Sequence, residues 1–412
     1  MTKYRFARVT NYYPQYLERF YSNSTYVNLS YEQHYSSLIE DSLESASSYT
    51  KALNKLHDVE AMDIISNALP LQQAWRAQNN ISESVSNDLL IIEQLVKFQP
   101  DVVWIDDFNL MKDEWISSFK KRLSNNKLIV GHICAPFGSA IEKKFSHYDI
   151  IFSCIPCMVE ELRGKGFKSH LLYHSFDSEI LEKLKTTELK KFPPSQLLFS
   201  GSLYSGAGFH NKRVEYLESF IQRGFPLTLY GNLESVSKIG SKKLFRSVIR
   251  LIKALGLGIL IRKISFLKSK EAYGDSPVTG YSKSLRNASH PPVFGLSLFK
   301  LMQNADITFN IHGDIAGNCA GNIRMFEVTG AGSCLLTDDK ENINELFVPG
   351  KEIVTYTGLQ DCIDKIQWLL SHPNECKQIA KAGQQRTLRD HTVKVRAELL
   401  NALIIEELKN KN

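Results

Sequence analysis

A series of short apolar runs, most of them four to seven residues long, constrains this chain more than any other feature. In the first half they are Arg5–Thr10, Val102–Ile105, Leu128–Ile133, Ile150–Cys154 and His170–Tyr173. In the second half they are Leu197–Ser200, Leu227–Tyr230, Ile307–Asn310, Ser333–Leu336 and Glu352–Tyr356. They are rich in β-branched and aromatic residues and nearly free of apolar–polar alternation, the pattern of strands buried on both faces of a parallel sheet. Helix-length amphipathic stretches such as Asn87–Phe98 and Leu359–Leu370 lie between them, so βαβ units are the natural assembly.

The 412 residues suffice for two to three domains. With 43% hydrophobic and 23% charged residues, 17 Tyr and 22 Phe, a sizeable core needs no staples. A disordered chain, a collagen-like fibre and a disulfide-framed miniprotein are excluded. The N-terminus lacks a secretory signal pattern, and no window approaches 18 uninterrupted apolar residues. Seven cysteines, scattered from Cys134 to Cys376, read as reduced thiols in a cytoplasm, with the Cys154/Cys157 pair as buried core.

The polar stretch 186–195, TTELKKFPPS, carries two consecutive prolines and reads as an interdomain linker. It separates a first α/β domain, 1–190, from a second, 191–390, with a last helical segment, 391–412, that crosses back to the first. The expected architecture is two Rossmann-like halves facing each other across a cleft.

Two segments carry chemistry. After the run ending at Asn310, a loop with His312, Gly313, Gly317 and Gly321 leads into a helix beginning near Asn322. Glycines before a helix let backbone N–H groups approach an anion, and the helix N-terminus adds partial positive charge. Arg324 supplies a full charge for a pyrophosphate, and Glu327 lies on the same face, where a carboxylate can accept from two ribose hydroxyls. An ordinary helix with a surface Arg–Glu pair fits this stretch equally well. The second segment is Gly201-Ser202, directly after LLFS and before a helix with His210 and Arg213 at its start. Two such turns in one domain converge on the crevice where α/β sheets bind ligands, which favours a nucleotide diphosphate.

Arg324-Met-Phe-Glu327, Gly330/Gly332, LLTD, and Glu345-Leu-Phe followed by Pro349-Gly350 and Glu352-Ile resemble the GT-B glycosyltransferases related to spore maturation proteins, the CgeB-like group. Asp390-His391-Thr392 with Arg396 fits the same pattern. Tyr12-Tyr13-Pro14, Ser30-Tyr31-Glu32, Asn67 and Gln72-x-x-Trp75 look similar to members acting on bacterial surface polysaccharides. The resemblance implies a donor site in the second domain, with Glu327 at the ribose of a nucleotide-sugar and Arg324, Gly201 and Ser202 near its diphosphate; the two turns add Arg213, His312 and Asn322 as donor-binding candidates. It implies an acceptor entering near Tyr12 and Tyr13. Many retaining relatives have a further Glu eight positions before the ribose carboxylate; here that position is Cys319, which leaves the anomeric outcome open.

An inverting transfer needs a base on the acceptor hydroxyl. Asp106 or Asp107 after VVWI and His132 within LIVGHICAP are the candidates, with His34 and His174 as further options. The Asp106-Asp107 and Asp338-Asp339 pairs have no accompanying ligand cluster and read as loop acids, so neither a metal nor a cofactor is expected.

Between Ser235 and Lys270 lie ten Lys or Arg and no acid, leaving 40 basic against 44 acidic residues elsewhere. Leu244, Phe245, Val248, Ile252 and Leu255 fall at helical spacing among these cations. An interfacial helix on anionic lipid is the first reading, a core-packed helix the second and nucleic acid a distant third, so no nucleic-acid partner is expected. The expectation is a metal-independent, hexosyltransferase-type glycosyltransferase, cytoplasmic and peripheral on the inner face of the plasma membrane. It would move a sugar from a nucleotide-sugar to a glycan acceptor, lipid-linked, in lipopolysaccharide, O-antigen or capsule biosynthesis. The alternatives are a nucleotide-sugar epimerase of the same fold and a non-catalytic nucleotide-binding scaffold.

Overall fold

The computed structural model describes residues 3–411 apart from 23–25, 27–28, 44–47, 111, 125–127, 204–210, 258–277, 279 and 313–316. His210, Gly313 and the basic segment beyond residue 257 lie outside the described residues.

Two parallel six-stranded sheets form the frame. The first contains β1 (Tyr4–Thr10), β2 (Val59–Ile65), β3 (Val102–Ile105), β4 (Leu128–His132), β5 (Ile150–Ser153) and β6 (Ser169–Leu171), in the order β2-β1-β3-β4-β5-β6. The second contains β7 (Ser195–Ser200), β8 (Leu227–Tyr230), β9 (Ser289–His290), β10 (Ala305–Phe309), β11 (Cys334–Asp338) and β12 (Val354–Tyr356), in the order β12-β11-β10-β7-β8-β9. All residues of β3 and β5 are buried, as strands covered on both faces must be. The apolar runs named from sequence correspond to ten of these strands; β2 and the two-residue β9 were not among them.

β2 carries charge inside the core. Asp63 is the in-register neighbour of Arg8 on β1 and accepts from its Nε at 2.6 Å, both side chains being buried. Thr50 donates to the other oxygen of Asp63. A fully paired buried charge does not break a strand, but it hides the apolar signature of one.

Each sheet has one point where the chain order reverses: between β1 and β3 in the first, and between β7 and β10 in the second. Ligands of open α/β sheets bind beyond the strand C-termini at such points. Tyr12, Tyr13 and Asp106 follow the strands at the first point; Gly201, Ser202 and Asn310 follow those at the second.

The final helix, Val393–Asn410, belongs to the first domain's core. Val393, Ala397, Leu400 and Ile404 pack with Tyr4, Phe6, Tyr49 and Trp104. The chain crosses between domains twice, and the crossings lie side by side. Phe176 N–H donates to the His391 carbonyl at 2.9 Å, and Val393 N–H donates to the Phe176 carbonyl at 3.0 Å. Gly330 makes room for Phe176, since a Cβ there would come within 2.2 Å of that ring.

Candidate active site

A cavity of about 410 Å³ opens at the β7/β10 switch point. Gly201, Ser202, Arg213, Asn322, Arg324 and Glu327 line it, with Tyr13 arriving from the first domain. Phe199, Tyr230, Asn232, Phe294 and Asn310 complete much of the wall. Strand ends explain the convergence. Asn310 closes β10 and shares two amide contacts with Asn322, at 3.0 and 3.3 Å. Asn322 is the N-cap of helix Ile323–Ala331 and accepts from Met325 N–H at 3.3 Å, so the helix N-terminus faces the cavity wall. Gly201 and Gly231 end β7 and β8 with their backbones in close approach, and a Cβ on Gly231 would stand 2.7 Å from the Gly201 carbonyl oxygen.

Glu327 is 3% exposed, and its Oε2 lies 2.8 Å from Arg324 Nη1. The two charges attract at that distance, but the N–H and lone pair are misaligned, so both atoms are buried without a hydrogen bond. Burial raises the Glu327 carboxyl above its usual range, and Arg324 opposes that shift. Among the described residues lining the cavity, Glu327 is the one carboxylate, facing the cations Arg213 and Arg324. Arg213 lies along the floor, donating to the Ser202 and Ile311 carbonyls at 3.1 and 3.2 Å.

His312 is placed differently. It is buried behind the wall, with Nδ1 donating to Asp338 at 2.7 Å and Nε2 3.2 Å from Met325 Sδ. That pairing holds the Asp338 carboxyl below its ordinary range despite burial. His312 therefore fastens the β10 loop to β11 and does not line the cavity.

On the first domain, Tyr13 is 54% exposed, and its ring stands 6.2 Å from Phe294 across the cleft. Tyr12 is buried against Tyr16, with its backbone held by Asn67. Asp41 reaches the second domain, where its carbonyl accepts Leu296 N–H at 2.9 Å. Gly295 has φ +61°, and a Cβ there would meet that carbonyl at 2.6 Å, so the closure of the cleft depends on this glycine.

Asp106, Asp107 and His132 stand at strand ends of the first sheet and are not among the residues lining the cavity. Asp106 accepts from the Trp104 indole and lies 3.7 Å from Arg8. Asp107 accepts Asn109 N–H at 2.8 Å in a local turn. His132 packs on Trp104, with Nε2 3.3 Å from Cys134 Sγ. His34 is enclosed by the rings of Tyr21 and Tyr26. Asp390-His391-Thr392 and Arg396 form the domain junction: His391 Nε2 donates to the Leu346 carbonyl, Arg396 donates to His391 Nδ1, and Thr392 caps the last helix.

The cysteines depart from the sequence reading of scattered core thiols. The sulfurs of Cys134 and Cys154 lie within bonding reach of each other, and those of Cys157 and Cys319 meet across the domain boundary. Strand ends bring them together: Cys134 follows β4 and Cys154 follows β5, its neighbour. Cys334, Cys362 and Cys376 are buried thiols.

Several wall residues had no sequence motif. Phe199, Tyr230, Asn232 and Asn310 sit at or just past the C-terminal ends of β7, β8 and β10, and that position was the available signal.

Residues 253–402 match a protein family described as "Glycosyl transferase-like". No curated protein matches the chain. Among solved structures, a glycosyltransferase from Rickettsia africae aligns over all of both chains, with a TM-score of 0.57 and 13% identity. HepE from Anabaena in complex with UDP-glucose aligns over 98% of this chain and 100% of its own, with a TM-score of 0.56 and 9% identity. A sucrose-phosphate synthase from Thermosynechococcus elongatus aligns over 99% and 100%, with a TM-score of 0.54 and 9% identity. The chain thus has the GT-B fold, and its second half carries the glycosyl transferase-like pattern, with the cavity at the β7/β10 crevice.

Proposed function

We propose that the protein is a glycosyltransferase that takes its sugar from a nucleotide-sugar bound in the β7/β10 cavity. The observation that carries this is a single carboxylate, Glu327, facing two arginines and a helix N-terminus at the crevice of a parallel sheet. The family match over 253–402 and the UDP-glucose bound by HepE support it.

In this reading Glu327 accepts both ribose hydroxyls. Arg324, Arg213 and the N-terminus of helix Ile323–Ala331 neutralise the departing diphosphate, stabilising charge where it develops. This electrostatic work does not call for a divalent metal at the donor. Phe199, Tyr230 and Phe294 supply aromatic surface for the base and sugar. The acceptor enters by Tyr13. Asp106 is our assignment for the base of an inverting transfer, since its carboxylate is partly exposed at the first switch point and oriented by Trp104 and Arg8.

For the acceptor, the helix Val236–Ala254 supports a lipid-linked reading. It packs inward through Ile239 and Ile249, while Leu244, Val248, Leu251 and Leu255 form an exposed stripe bordered by Lys243, Arg250 and Lys253. That face suits an anionic membrane surface and hence a lipid-linked glycan, as in bacterial surface-polysaccharide synthesis. No helix among the described residues is long and apolar enough to cross a membrane.

Calorimetric titration with UDP, GDP, ADP, CDP and dTDP tests the donor site. One diphosphate should bind selectively, and Glu327→Ala should weaken it by roughly tenfold or more. Binding to none of them, or binding unaffected by the substitution, would remove the donor assignment. Consumption of the matching nucleotide-sugar only when acceptor is present separates transfer from epimerisation.

A further inference from the structure

Three adjacent strands of the first sheet each deliver one soft or borderline ligand to the same spot. Cys134 follows β4, Cys154 follows β5 and His174 follows β6. One potential donor atom from each lies within 4.8 Å of the others. We propose that Cys134, Cys154 and His174 bind a thiophilic divalent cation of the zinc class, with solvent in the fourth position.

The arrangement has the chemistry such an ion selects. Two thiolates and an imidazole nitrogen suit Zn²⁺, whose tetrahedral shell then leaves one position to solvent. His132 borders this cluster, with Nε2 3.3 Å from Cys134 Sγ and its ring edge-on to that of His174, centroids 5.9 Å apart. Cys154 N–H donates to Cys134 Sγ at 3.1 Å, a contact that stabilises a thiolate. The Cys134 and Cys154 Cα atoms are 5.7 Å apart, which serves a disulfide or a shared ion alike. The convergence of the His174 imidazole on both sulfurs favours the ion, because a disulfide gives that imidazole nothing to bind. Uptake releases one proton from each thiol and involves no electron transfer.

The site has a mechanical position. The Cys154 carbonyl packs on Gly321, where a Cβ would come within 2.2 Å of its oxygen, and the next residue, Asn322, caps the helix bearing Arg324 and Glu327. An ion fixing Cys154 would brace the first-domain strand ends against the loop that carries the donor helix. It lies outside the residues lining the cavity, so its role is structural.

The test uses full-length protein, reduced and then stripped of metal. Co²⁺ titration should give the thiolate charge-transfer and tetrahedral d–d bands at one equivalent, displaced by Zn²⁺. Zn²⁺ should raise the melting temperature. Cys134→Ser and His174→Gln should abolish the bands while circular dichroism shows the fold retained, and Cys157→Ser should leave them intact. Absence of the bands in reduced, folded protein overturns the proposal, and so does their loss in Cys157→Ser but not in Cys134→Ser. If Cys134→Ser fails to fold, His174→Gln decides alone: bands that persist unchanged in it overturn the site. Peptide mapping that finds Cys134 linked to Cys154, together with no Co²⁺ spectrum after reduction, assigns a disulfide instead.

Discussion

Glu327 is the residue on which most of the donor chemistry rests, and its burial gives it a pH signature. Ribose hydroxyls donate to the ionised carboxylate, so binding needs the proton absent. Burial raises the carboxyl above its usual range even with Arg324 beside it, so protonation begins at higher pH than for an exposed glutamate. On acidification, nucleoside diphosphate affinity should therefore begin to fall at a higher pH than an ordinary carboxylate would allow. Glu327→Gln, which keeps an acceptor but cannot titrate, should bind roughly tenfold more weakly with that pH step removed. Calorimetry at a series of pH values decides it, and a wild-type profile as flat as that of the variant would exclude the role. Arg324, Glu327 and the two glycine-bearing turns were visible in the sequence because the spacing of a helix start is local. The retreat of His312 was not visible, since its partner Asp338 lies 26 positions away on another strand and only the fold joins them.

At the scale of elements, local rules worked where burial was uniform and failed where charge was buried. β3 matches its sequence boundaries because VVWI is buried throughout and nothing polar interrupts it. β2 escaped notice because Glu60 and Asp63 stand within VEAMDII, and Arg8, the partner of Asp63, is 55 residues away. The basic helix was recognised as amphipathic, but its inward face could not be chosen from sequence. Ile239 and Ile249 pack inward, while Leu244, Val248, Leu251 and Leu255 face out. Replacing Leu244 and Leu251 together by Glu should leave the fold intact, since both are at least 60% exposed. The same pair should lower co-sedimentation with anionic vesicles at least several-fold. Equal recovery of wild type and variant, or of wild type on neutral and anionic vesicles, would leave that face without a membrane role.

For the whole molecule, the unit of stability does not follow chain order. Ile404 is fully buried among residues of β1 and β3. Ile404→Asp should place an unpaired carboxylate there and lower the melting temperature by roughly 10 °C, measurable by scanning calorimetry. A shift of only one or two degrees would mean that the final helix is a passive cover. The two-sheet plan was legible because each sheet is built from sequence-local apolar runs, whereas the crossing lies at Phe176, ahead of the two prolines, and Phe192 beside them is buried in the second core. The adjacency of the two crossings at Phe176 and Val393 is a property of three-dimensional closure.

That closure has a consequence for synthesis on the ribosome. β1 is made before the other strands of these two sheets, yet its core contains Val393, Ala397, Leu400 and Ile404 from helix Val393–Asn410. The first half of the chain must wait, incompletely covered, while the whole of the second is translated, whereas the second can bury its sheet beforehand. The domain that starts first finishes last, and the interval between is when Phe6, Tyr49 and Trp104 are most exposed to chaperones and to one another.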